Sequence, residues 1–284
     1  MKLLFEKYQA NGNDYILVDS SNINEKLNYS LKQELSIAWC IRHYSVGADD
    51  VIFLEQSDVA DIKITIIEPD GSEADMCGNG IRCVAAYLSE KLNKANLKIE
   101  TLAGIKDVNI ENELYSVNMG KMNMNPGFFA KRYLSFMPPD SLYNLELNYP
   151  EIGSHIGSII YSGEPNIVFI KEEIKEIDIE RWGQNISLNK KLFPIGICTV
   201  LVEPLSSEVI KARFFEKGVY RETNACGTGA TAAAYIAKNV LNLTSKRITV
   251  NMKGGNVYVE PGFENQDTLL IGEAKWVFSG HITV

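Results

Sequence analysis

The feature that most constrains this chain is a duplicated element. Met76-Cys77-Gly78-Asn79-Gly80 is followed by IRCVAAYLSEKL, and Ala225-Cys226-Gly227-Thr228-Gly229 by ATAAAYIAKNVL. Each reads as a Cys-Gly-x-Gly loop feeding an Ala-rich helix. The continuations match as well: LKIETLAG and VNIENELYSVNMG after the first, RITVNMKGG and VYVEPGFENQDTLLIGEA after the second. Alternating apolar residues such as Ile248, Val250 and Met252 make each continuation a strand, a glycine turn and further strands. A repeat of this long period predicts two α/β domains related by duplication. Turn formers cluster at Met122–Asn125, Pro126 and Gly127. The expected division is therefore 1–124 and 125–273, with the strand-like Ala274–Val284 returning to complete the first domain.

Bulk properties narrow the class. With 284 residues, 45% hydrophobic and 23% charged, the chain has ordinary globular composition. Its net charge of -8 and the lack of a basic run argue against nucleic acid as a partner, since phosphate binding needs a concentrated basic face. Glu6 and Lys7 interrupt the first apolar stretch too early for a secretory segment. No stretch reaches the roughly 18 apolar residues of a membrane span. A soluble cytoplasmic protein with no membrane partner is expected. Five cysteines are an odd number in a long chain, which favours reduced thiols. With no CxxC pair and three histidines, no metal site is expected. Cys40, Cys83 and Cys198 stand among apolar residues and are expected in the core.

The two loops carry the chemistry. Glycines let the backbone turn sharply and approach a ligand. A helix start offers unpaired N–H groups and the positive end of its dipole. That setting binds an anion such as a carboxylate. It also draws a neighbouring thiol pKa down from about 8.5 toward roughly 3.5–7.5. Two such elements facing one another would hold a carboxylate with a sulfur on each side of its α-carbon. One thiolate would then remove the α-proton and the opposing thiol would protonate the other face. Charge developing on the carboxylate would be stabilised by the helix ends. This amino-acid racemase or epimerase chemistry requires no cofactor. Three other readings stay open: a thiol redox protein using Cys77 and Cys226, a non-catalytic amino-acid binder, and an isomerase without thiol chemistry.

Over nearly its whole length the chain resembles the diaminopimelate epimerase family. The resemblance rests on Gly12-Asn13-Asp14 with YILVD, Arg42-His43, Val46-Gly47-Ala48-Asp49, DGSExxMCGNGxRC from Asp70 to Cys83, ETxACGTGA from Glu222 to Ala230, Gly254-Gly255, and Gly272-Glu273-Ala274. It implies two pseudo-symmetric α/β domains, each a strongly curved, barrel-like sheet around a central helix. It implies Cys77 and Cys226 as the acid–base pair, with the α-carboxylate on N–H groups of Gly78, Asn79, Gly227 and Thr228. Asn13 and Glu216 would complete the pocket. It implies a homodimer.

Several positions depart from the family pattern. Asp50 stands for Gln, Glu68 for Asn, Glu164-Pro165-Asn166 for Asn-Pro-His, Pro194 for an Asn, and Lys217 for Arg. In the family much of this set reads the distal arm of the substrate. Acidic groups at three places, and a point charge in place of a bidentate fork, lean toward a cationic substrate such as histidine. The alternative is diaminopimelate itself, with Glu68 and Glu164 turned elsewhere or paired with Lys217. Asp70-Gly71-Ser72 and Gly254-Gly255 read first as turns, and His43 as a supporting residue.

Overall fold

A computed structural model describes residues 2–23, 27–263 and 266–283. The chain divides into two compact units, Met1–Asn118 with Ile271–Val284, and Met119–Leu270. Val284, the last residue of the segment expected to complete the first domain, lies outside the described residues.

In the first unit β1 (Lys2–Ala10) and β2 (Asn13–Asp19) pair antiparallel. Helix α1 (Tyr29–Trp39) crosses to β3 (Asp50–Glu55), which lies parallel to β2. β4 (Ile62–Ile67) returns antiparallel and carries the two-residue β5 (Glu73–Ala74). Helix α2 (Gly78–Leu92) leads to β6 (Asn96–Thr101), parallel to β4. β7 (Gly104–Glu111) and β8 (Leu114–Gly120) follow as antiparallel neighbours. The C-terminal strand Lys275–Thr283 lies antiparallel to β1.

The apolar runs of β2 and β3 follow from burial on both faces. Ile16, Val18, Val51 and Phe53 join Leu35 and Trp39 in a cluster on the α1 side. Their alternating neighbour Ile52 meets the start of α2. Each such buried side chain stabilises the fold by roughly 1.5–3 kcal/mol. Helix α2 packs against β1, β2, β6, β7 and the C-terminal strand. A sheet whose distant strands all touch one helix must curve around it, and α2 is accordingly buried over most of its first eleven residues.

The second unit repeats this order. After α3 (Pro126–Arg132) and β9 (Leu145–Tyr149), β10 (Gly153–Tyr161) and β11 (Pro165–Ile170) pair antiparallel. Helix α4 (Ile179–Ser187) crosses to β12 (Cys198–Pro204), parallel to β11. β13 (Val209–Phe215) and the short β14 (Glu222–Thr223) follow. Helix α5 (Gly227–Val240) leads to β15 (Ile248–Met252), parallel to β13, and to antiparallel β16 (Gly255–Glu260). The alanines of α5 are buried against β11, β12, β13 and β15. Such small side chains let a curved sheet close around a helix. Among the described residues no helix is long and apolar enough to cross a membrane.

Candidate active site

In each unit one cysteine is the N-cap of the central helix. Cys77, with φ -138° and ψ 113°, caps α2, and its Sγ accepts the N–H of Gly80 at 3.4 Å. Cys226, with φ -131° and ψ 116°, caps α5, and its Sγ accepts the N–H of Gly229 at 3.3 Å. Ser, Thr, Asp and Asn are the usual caps, so sulfur in this position is unusual at both helices. The last glycine of each motif has a steric cause. A Cβ on Gly80 would stand 2.8 Å from Ile52 Cδ1, and one on Gly229 would stand 2.6 Å from Phe214 Cδ1. Both helix starts are pressed onto the sheet, with their first N–H groups lacking intrahelical acceptors.

The surroundings of the two sulfurs differ. Cys77 is half-buried, and its Sγ lies 3.3 Å from the hydroxyl of fully buried Tyr15. Burial first, and then the charge of a Cys77 thiolate, hold the Tyr15 phenol well above its usual pKa. Tyr15 therefore keeps its proton and can donate it to the sulfur. Cys226 is 5% exposed. Its Sγ lies 3.3 Å from Thr228 Oγ1, and Glu216 contacts it through a side-chain hydrogen bond. Thr223 Oγ1 in turn donates to Glu216 Oε1. The helix start leads one to expect a lowered pKa at both thiols. At Cys226 the shift is upward: burial, reinforced by the Glu216 carboxylate, keeps this thiol well above the ordinary range. The amide and Thr228 hydrogen bonds are too weak to reverse a desolvation cost of this kind.

The remaining expected residues fall within one unit or the other. In the first unit Asn13 opens β2 opposite Ala10, and Gly78 and Asn79 form the buried first turn of α2. Asp50 opens β3 opposite Tyr15. In the second unit Glu216, Gly227 and Thr228 lie at the Cys226 end of α5, and the Thr228 carbonyl accepts from Ser162 Oγ at 2.9 Å. Asn166 donates to Ser162 Oγ at 3.1 Å and to the Glu164 carbonyl at 2.7 Å, leaving its buried Oδ1 without a partner.

The acidic substitutions are not bare charges. The Glu164 carboxylate pairs with Lys217 Nζ at 2.8 Å. Burial disfavours the Lys217 ammonium, but Glu164 more than offsets this and leaves its pKa raised. Glu68 accepts from Ser72 Oγ at 2.7 Å inside the Glu68–Ser72 turn. Asp70-Gly71-Ser72 is that turn, with Gly71 at φ 87°. Gly254-Gly255 joins β15 to β16. Pro194 is exposed, as is His43, which has φ 71°. Cys40, Cys83 and Cys198 are buried. Burial pushes Cys40 and Cys198 up to about 12. The residues that sequence reasoning did not single out are Tyr15, Arg82, Ser162 and Thr223. Thr223 stood inside the ETxACGTGA motif, Arg82 inside DGSExxMCGNGxRC and Tyr15 at the head of YILVD, but none of the three had a role assigned to it.

The family model for diaminopimelate epimerase matches residues 5–125 and 158–277. The chain belongs to the diaminopimelate epimerase family. A diaminopimelate epimerase from Halothermothrix orenii is 35% identical over 100% of this chain and 99% of its own length. One from Pelotomaculum thermopropionicum is 36% identical over 97% of each. A solved structure, a probable proline racemase from Agrobacterium radiobacter K84, matches at a TM-score of 0.71 with 11% identity, covering 99% of this chain and 93% of that one. That likeness shows the shared fold. Membership makes the chain an isomerase acting on amino acids, of the racemase and epimerase class. The leaning toward a cationic substrate such as histidine finds no support among these relatives. Its physical basis weakens as well, because the Glu164 charge is already met by Lys217.

Proposed function

We propose that this chain is a diaminopimelate epimerase, interconverting the LL and meso forms by proton transfer between Cys77 and Cys226. The observation that carries the reading is the pair of cysteine-capped central helices, in a chain whose full-length relatives bear that name. In this reading the α-carboxylate is held by N–H groups of Gly78, Asn79, Gly227 and Thr228. The Cys77 thiolate takes the α-proton, and electron density from the broken C–H bond passes to the carboxylate. The Cys226 thiol, kept protonated by its surroundings, delivers a proton to the opposite face. Cys77 ends as thiol and Cys226 as thiolate, the arrangement needed for the reverse direction. In this reading the distal carboxylate would take the place of Glu164 as the partner of Lys217.

The test is α-hydrogen exchange in deuterated buffer across diaminopimelate, histidine, ornithine, lysine and arginine. Exchange and inversion of diaminopimelate are expected. Turnover confined to the basic amino acids would overturn the assignment and restore the acidic-pocket reading.

A further inference from the structure

Arg82 is wholly buried in the first unit, on the second turn of α2, yet no carboxylate pairs with it among the described residues. Its Nε donates to the Glu273 carbonyl at 3.2 Å and its Nη2 to Asn11 Oδ1 at 2.6 Å, both neutral acceptors. Its Nη1 is buried without a partner. A buried guanidinium satisfied only by neutral oxygens is costly and calls for a negative charge nearby. Arg82 follows Cys77 by five residues on the same helix start. Burial lowers its pKa, opposed by Cys83 first, then Tyr15 and Cys77. Cys83 and Tyr15 are wholly buried, which disfavours their anions. Cys77 is half-buried, and its sulfur is met by the Gly80 N–H at 3.4 Å and the Tyr15 hydroxyl at 3.3 Å, so it is the group best placed to carry the charge.

We propose that Arg82 is a positioning residue for the reaction: its uncompensated charge holds Cys77 as the thiolate, while its fork ties down the Asn11 turn that leads into Asn13. The second unit lacks the device. Thr231, the fifth residue after Cys226, spends its hydroxyl on the Gly227 carbonyl at 2.8 Å. There the charged neighbour is the carboxylate of Glu216. One cysteine thus sits beside a buried cation and the other beside an anion. This asymmetry makes Cys77 the resting base and Cys226 the resting acid.

The charged groups around Arg82, Cys83 and Tyr15 are accounted for. Asp14 of β2 is bound by Lys7 and Arg42. The side chain of Glu273 is paired with Lys275 at 2.8 Å. Asp50 of β3 lies opposite Tyr15 and acts on its phenol.

The inference rests on Cys77 being a proton carrier, and its test needs no substrate. The ultraviolet thiolate signal is titrated in the full chain, in Arg82→Met and in Arg82→Lys, each against its own Cys77→Ser counterpart. In the native chain Cys77 should titrate below the roughly 8.5 of a free thiol. Arg82→Met should raise that inflection by about 1–2 pH units, and Arg82→Lys should recover at least half of the shift. A native inflection at or above that of a free thiol would overturn the proposal even if Arg82→Met failed to fold. So would an unmoved inflection in a folded Arg82→Met chain. Full epimerisation by Cys77→Ser would instead sink the proposed function and leave the titration result standing.

Discussion

Replacing Glu216 by Gln isolates the cause of the high Cys226 pKa. The substitution keeps shape, and its amide oxygen can still accept from Thr223 Oγ1. It removes the negative charge hydrogen-bonded to the sulfur. Two unit charges about 4 Å apart interact by roughly 4 kcal/mol at an effective dielectric of about 20, a ceiling of roughly 3 pH units. Glu216 is only half-buried, so solvent screening reduces this to about 1–2 units. Burial of Cys226 is unchanged and keeps its pKa above that of a free thiol. The assay is the thiolate absorbance difference between Glu216→Gln and Glu216→Gln with Cys226→Ser, titrated alongside the same pair with Glu216 intact. The Cys226 inflection should fall by about 1–2 units. The alkaline limb of kcat/KM should fall by a similar amount, because the acid loses its proton sooner. An inflection that stays put or rises would refute the view that Glu216 acts through its charge.

Two further outcomes are expected. Gly183 of α4 faces Phe215 so closely that an added Cβ would lie 2.0 Å from the ring. Gly183→Ala should therefore destabilise the fold by about 1–3 kcal/mol or more, read as a fall in the urea midpoint; an unchanged midpoint would contradict the packing. The buried thiols Cys40 and Cys198 titrate near 12 when folded. Below about 8.5 both folded and unfolded states hold these protons, so stability is then independent of them. Above it only the unfolded state releases them, so stability falls with rising pH at about 1.4 kcal/mol per unit per thiol. Cys198→Ala should make the decline between pH 9 and 10 shallower by about that amount, and an equally steep decline would contradict the assignment.

The helix starts were legible because their signals are local. Cys-Gly-x-Gly followed by an alanine run is a turn and a helix in any context, and both appear where the spacing put them. The strand YILVD likewise announces itself by its apolar run. The connecting helix α1 is less legible, since on the face that buries Leu35 and Trp39 it also buries Lys32, paired with Glu55, and Ser36, bonded to its own backbone. Pairings made across long separations were not legible. Tyr15 meets Cys77 only because β2 passes beside the α2 start, and Glu164 reaches Lys217 only because β11, β12 and β13 are adjacent. The direction of the Cys226 shift was hidden for the same reason. A helix start is visible in a sequence, but the depth of burial and the neighbouring Glu216 are properties of the folded chain.

If Cys77 and Cys226 serve opposite faces of one carbon, as proposed, isotope tracing at early conversion reads it directly. In deuterated buffer the meso product formed from LL-diaminopimelate should carry deuterium at the inverted carbon, while unreacted LL substrate keeps its protium. Product that retains the original α-hydrogen would mean one group both removes and returns it, and the two-cysteine account would be wrong.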